Sequence, residues 1–109
     1  MDKEITSPDI AVGTRIFCIY GADNDQVMLI GHGRYDGMFP VEDWAAGEIA
    51  EYCRKTGEPN PRFTLDSGEQ VYGCECWWMK DRLYDVFVDG RKVINVSIQQ
   101  LRAENAQKG

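Results

Sequence analysis

The residues most suited to chemistry lie in one run, Val71 to Trp78, VYGCECWW. Two cysteines flank a glutamate, and two tryptophans follow. A metal site there would need further ligands, for which Cys18, Cys53 and the single histidine His32 are available. C-x-C is a weaker signature than a C-x-x-C knuckle, however, and no second knuckle follows, so no metal or other cofactor is expected. A reactive thiolate wants a helix N-terminus or a nearby cation, and Glu75 supplies the opposite charge. Cys74 and Cys76 are also poor disulfide partners, because two residues apart on a strand their Cα atoms lie about 6.6 Å from each other. The remaining reading is packing: free cysteine behaves as a small buried hydrophobe.

Read as one strand, the run sorts by alternation. Tyr72, Cys74, Cys76 and Trp78 share a face that is apolar enough for the core. Val71, Gly73, Glu75 and Trp77 share the other face. There Gly73 leaves a groove or admits a close backbone approach, and Glu75 and Trp77 flank it as candidate binding residues. The same two side chains could equally be covered by a helix or by the N-terminal arm. This register implies that Cys74→Asp or Cys76→Asp disrupts folding, whereas Glu75→Gln folds normally.

A second glycine-rich stretch, GHGRYDG (Gly31 to Gly37), lacks the spacing of a P-loop and the register of a dinucleotide fingerprint. Its glycines read as bends or close approaches in a curved sheet. Arg34, Tyr35 and Asp36 fall at the end of that strand, where binding residues often sit and where ordinary turn residues sit as well. No G-x-S-x-G, H-E-x-x-H or paired-carboxylate pattern is present, and nothing in the spacing brings His32 to a nucleophile. A non-enzymatic protein is therefore expected.

These residues need elements to hold them. TRIFCIY (Thr14 to Tyr20) and QVMLIGHGRY (Gln26 to Tyr35) read as a hairpin across the turn residues Gly21 to Asp25, ended by Asp36-Gly37. Val41, Trp44, Ala45, Ile49, Tyr52 and Cys53 recur at three-to-four spacing and predict one helix over about 40–56, stopped by Gly57, Pro59 and Pro61. RFTLD and EQVYGCECWW read as a second hairpin around Ser67-Gly68. RLYDVFVD and RKVINVSI read as a third around Asp89-Gly90. Residues 1–11 form a loose arm, and the tail 99–109 makes one helical turn and frays. The prediction is a single α+β, mainly β domain over 1–109: a bent antiparallel sheet or small SH3-like barrel of about six strands with one inserted helix.

Composition narrows the partners. The chain has 109 residues and a net charge of -6, which disfavours binding to a nucleic-acid backbone and permits a basic protein partner. No apolar run approaches a membrane span, and Met1 to Ile10 has no apolar signal region, so a cytoplasmic protein with free thiols is expected.

Asn60 to Trp78, NPRFTLDSGEQVYGCECWW, with GHGRYDG ahead of it, resembles a group of small phage and prophage proteins. In these a glycine strand, an Asn-Pro, a Leu-Asp-x-Gly turn and a Gly-Cys-Glu-Cys-Trp-Trp strand recur in that order. The resemblance covers about half the chain and implies an accessory protein, located in the host cytosol, that alters a host process by binding, anti-defence inhibitors being one such class. The leading expectation is thus a protein that binds a host protein or complex. The alternatives are a binder of a small molecule such as a nucleotide signal, using Trp77, Tyr35 and Arg34, and a barrel module for assembly.

Overall fold

The computed structural model describes residues 9–108. Strands β1 (Arg15–Ala22) and β2 (Gln26–Phe39) are followed by helix α1 (Glu48–Thr56), then β3 (Asn60–Leu65) and β4 (Gln70–Tyr72). A 3-10 turn over Gly73–Glu75 leads into β5 (Trp77–Lys80). A second one over Asp81–Leu83 leads into helix α2 (Tyr84–Val88), then β6 (Lys92–Asn95) and helix α3 (Ile98–Lys108). The fold is α+β and mainly β, as the sequence predicts. The sheet order is β4-β3-β2-β1-β5, antiparallel throughout that path, with β6 added parallel to β2. β2 is long enough for two neighbours on one edge: Gln26 to Leu29 pair with β6, and Gly33 to Phe39 pair with β3.

The topology forces the sheet to curl. β4 and β5 stand at opposite ends of the strand order, which in a flat sheet would separate them by roughly 19 Å. Yet only Gly73–Cys76 joins them, and a 3-10 turn plus an extended residue spans only about 13 Å. The edges must therefore approach each other, as in the bent sheet or small barrel expected from the sequence.

Curling gives the sheet two buried faces. Ile16, Cys18, Tyr35, Phe63, Leu65, Val71 and Ile98 fill the interior, with Cys76, Trp78 and Leu101 against them. Phe17, Ile19, Val27 and Leu29 point outward and are covered by Tyr84, Phe87 and Val88 of α2 and by Val93. This is why Ile16 to Ile19 form an unbroken apolar run: both faces of β1 are inside. A third cluster, Val41, Ala45, Ala50, Cys53 and Tyr72, lies under α1.

Several elements differ from the sequence reading. The segment Arg82 to Asp89 is not a strand but a 3-10 turn and a short helix. Tyr84, Phe87 and Val88 satisfy helical spacing as well as a strand pattern, and covering the outer face of β1 decides between them. Asp89-Gly90 accordingly closes a helix, with Gly90 at φ 77, rather than a hairpin. Asp36-Gly37 does not end β2. Gly37, at φ 120, sits at a register shift and the strand runs on to Phe39. Helix α1 begins at Glu48, after Gly47 at φ 104, not at Pro40. Its predicted stripe is rotated: Ala50 and Cys53 are buried, and Ile49 and Tyr52 are exposed. The tail is helical over Ile98–Lys108. Of the N-terminal arm only 9–11 lie within the described residues, and there Ile10 packs against the interior cluster.

Candidate interaction site at Trp77

The run Val71 to Trp78 is not one strand. The 3-10 turn at Gly73–Glu75 breaks it and shifts the alternation, so Val71 before the turn and Cys76 and Trp78 after it all face the interior. Tyr72 and Cys74 pack instead under α1. Gly73 admits the close approach its lack of a side chain suggested: an added Cβ would lie 2.7 Å from Cγ of Pro61.

The break carries Glu75 inward. Its side chain is 3% exposed and lies 2.9 Å from Nε of Arg102 on α3. Nη2 of Arg102 donates to the other carboxylate oxygen at 3.0 Å, completing a bidentate pair. The backbone N–H of Tyr72 (3.1 Å) and that of Ala46 (3.0 Å) donate to the same carboxylate. Arg102 also donates to the carbonyl of Gln70 and lies over the ring of Trp44, which stacks on Tyr72. Glu75, expected as an exposed binding residue, is therefore a buried tie among the turn, the loop before α1, and α3.

Trp77, expected on the same face, is the opposite case. It opens β5 opposite Ile19 and is 71% exposed, with the tied turn immediately before it. Tyr20 of β1 and Ile49 of α1, 45% and 62% exposed, join it around a cleft of about 660 Å³ also lined by Gly73 to Cys76 and Trp78. Tyr52, one turn along from Ile49, is exposed beside it. Three elements thus present large apolar side chains to one opening. The sequence reading missed Tyr20, Ile49 and Tyr52. The signal available was the small residues Ala50 and Cys53, which let α1 sit close to the sheet and turn its larger residues outward.

Arg34, Tyr35 and Asp36 are not part of this cleft and do not form a strand tip. Tyr35 is buried against Phe63. Asp36 accepts from Oγ1 of Thr64 at 2.6 Å and from Nε of Arg62 at 3.1 Å. Arg34 is exposed opposite Arg15. Two strand spacings and four residues along β1 separate it from Trp77, roughly 16 Å. His32 donates through Nδ1 to the carboxylate of Asp81 at 2.6 Å, with Tyr84 edge-on to its ring, which ties the approach to α2 onto β2.

The cysteines are set in packing environments. Burial, reinforced by Glu75, pushes the Cys74 thiol up to about 12. A hydrogen bond with Cys18, then burial, raises Cys76 well above the usual thiol range. Cys53 Sγ lies 3.1 Å from the amide nitrogen of Asn60. Among the described residues no group of three or more His, Cys, Asp or Glu side chains is placed to hold a metal ion, and no helix is long and apolar enough to cross a membrane.

Burial also raises Tyr35 and Tyr72, so four acidic groups are held neutral in the folded protein. The unfolded chain releases these protons at the ordinary values, about 8.5 for Cys and 10 for Tyr. Their contribution to stability is complete below pH ~8.5 and is lost as pH rises towards the folded-state values. The urea midpoint is expected to stay level from pH 7 to about 8 and to fall steadily above that; a midpoint unchanged at pH 11 would contradict the burial of these groups.

Comparison with known proteins finds no matching family model, no matching curated protein and no matching solved structure, so the functional reading rests on the residues of this cleft.

Proposed function

We propose that this chain is a non-catalytic binding domain that engages a host protein through the cleft at Trp77, in the manner of a small phage-type accessory factor. The observation that carries the reading is the convergence of Trp77, Tyr20 and Ile49, all exposed, from three elements onto one cleft. Aromatic residues held on a rigid frame dominate protein interfaces, because they bury much apolar area with little ordering cost. The buried Glu75–Arg102 tie fixes the turn that leads into Trp77, so the frame is set before a partner arrives. The resemblance to phage and prophage proteins supports the host setting. The small-molecule alternative keeps exposed Trp77 and Arg34 but loses Tyr35, which is buried and cannot stack with a ligand.

Site-specific photo-crosslinking in bacterial cells tests this. Tyr20→p-benzoylphenylalanine is expected to yield one reproducible protein adduct. Val86→p-benzoylphenylalanine, on the exposed side of α2 and 79% exposed in the native chain, is expected to yield none. No adduct from Tyr20, or the same adducts from both positions, would count against the cleft as the docking site.

A further inference from the structure

Resting on that reading, the surroundings of the cleft specify the chemistry of its occupant. None of the residues lining it is a cation, and its one charged lining residue, Glu75, is already paired with Arg102. Exposed acids stand beside it on α1. Glu48 and Glu51 flank Ile49 in the first turn of α1. The acids at the tip of the β1–β2 hairpin, Asp23 and Asp25, are offset by exposed Lys92, whose backbone N–H donates to the carbonyl of Asp25. The nearest basic residue of α1, Arg54, is turned away and donates to the carbonyls of Glu42 and Ala45.

We infer that the cleft takes a protein segment that presents an apolar side chain beside Arg or Lys. The apolar group fills the space between Ile49 and Trp77. The cation lies over the exposed indole of Trp77 or the ring of Tyr20, where the quadrupole of the ring attracts it, and the acids of α1 steer it there. A second copy of this chain is the less suited occupant. A two-fold contact through this face would bring two copies of the acidic Glu48–Glu51 turn into one interface, in a chain of net charge -6.

Titration with two acetylated octapeptides tests the inference, one alternating Arg with Leu and the other alternating Glu with Leu. Binding is followed by calorimetry and by the indole N–H resonance of Trp77 in two-dimensional NMR. The Arg–Leu peptide is expected to bind saturably and to move the Trp77 resonance, while those of Trp44 and Trp78 stay in place. The Glu–Leu peptide is expected to bind at least tenfold more weakly. Trp77→Ala and the double variant Glu48→Lys/Glu51→Lys, each checked for an unchanged melting temperature, are each expected to weaken Arg–Leu binding at least fivefold.

Equal binding of the two peptides, or no binding of either, would overturn the inference, as would Arg–Leu binding that is indifferent to Trp77→Ala. Sedimentation showing a dimer that Trp77→Ala dissociates would overturn it in favour of a second copy. These failures are separable from failure of the docking site itself. A Tyr20 adduct that forms equally well on the Glu48→Lys/Glu51→Lys background removes the charge requirement and keeps the site, whereas the absence of any adduct removes both.

Discussion

Glu75→Gln is expected to destabilise the protein by about 3–5 kcal/mol, the usual cost of breaking a buried, hydrogen-bonded ion pair by changing one partner. The substitution keeps the shape of the side chain, so the loss is electrostatic. Arg102, with only 14% of its side chain exposed, would keep its charge without a counter-ion. Two of the four donors now directed at the carboxylate would also meet an amide NH2 in place of an oxygen, since each oxygen accepts from two of them. A small domain has only about 5–15 kcal/mol in total, so the change should be plain in a urea titration. Changing both partners, Glu75→Gln with Arg102→Met, is expected to recover part of the loss, because no uncompensated charge remains. If Glu75→Gln left the urea midpoint where it was, the side chain would lie on the surface, as simple alternation along Val71 to Trp78 implies, and the broken strand would be wrong.

Gly33→Ala is expected to cost about 3 kcal/mol, at the upper end of the usual range for overpacking. A Cβ at this position would run into the carbonyl oxygen of Thr64 and lie 2.7 Å from Cα of Leu65. Both are backbone atoms of β3, the strand paired with Gly33, so relief requires the two strands to part. Gly31→Ala is the matched control. Its Cβ would meet only the side chain of Leu65, at 3.5 Å, which is ordinary contact. The pair should therefore differ by several degrees in melting temperature although both change a glycine of the same motif. Equal melting temperatures would mean that β2 and β3 do not approach as closely at Gly33 as the structure has them.

The parts of the fold legible in the sequence are those fixed by local chemistry. The first hairpin follows from β-branched and aromatic runs on either side of a turn in which Asp23 accepts from the N–H groups of Asp25 and Gln26. The second follows from Ser67-Gly68, with Gly68 at φ 97. The end of α1 follows from Gly57 in the left-handed region, with Arg54 and Lys55 in the last turn. What was illegible depends on contacts distant in sequence. Tyr84 to Val88 is helical because the outer face of β1 needs a cover, a requirement set some 65 residues earlier along the chain. The break at Gly73–Glu75 exists because the chain must cross from one edge of the curled sheet to the other.

The same distinction divides the candidate site. Trp77 could be found, because an aromatic beside a glycine-bearing strand is a local signal. Glu75 pointed the wrong way, since its partner Arg102 sits 27 residues downstream in a tail expected to fray. Ile49 and Tyr52 were assigned to the core because a helix begun at Pro40 buries a different face from one begun at Glu48.

The central claim is that Trp77 is an interaction anchor and not a structural residue, and the most direct measurement is the affinity of Trp77→Ala for the protein captured through Tyr20. With the indole 71% exposed, the melting temperature should be unchanged within about 0.5 kcal/mol of stability. Affinity should fall by roughly 30-fold or more, the 2 kcal/mol that marks an interface hot spot. A variant that binds as tightly as the native chain would contradict the account and place the docking surface elsewhere on the protein.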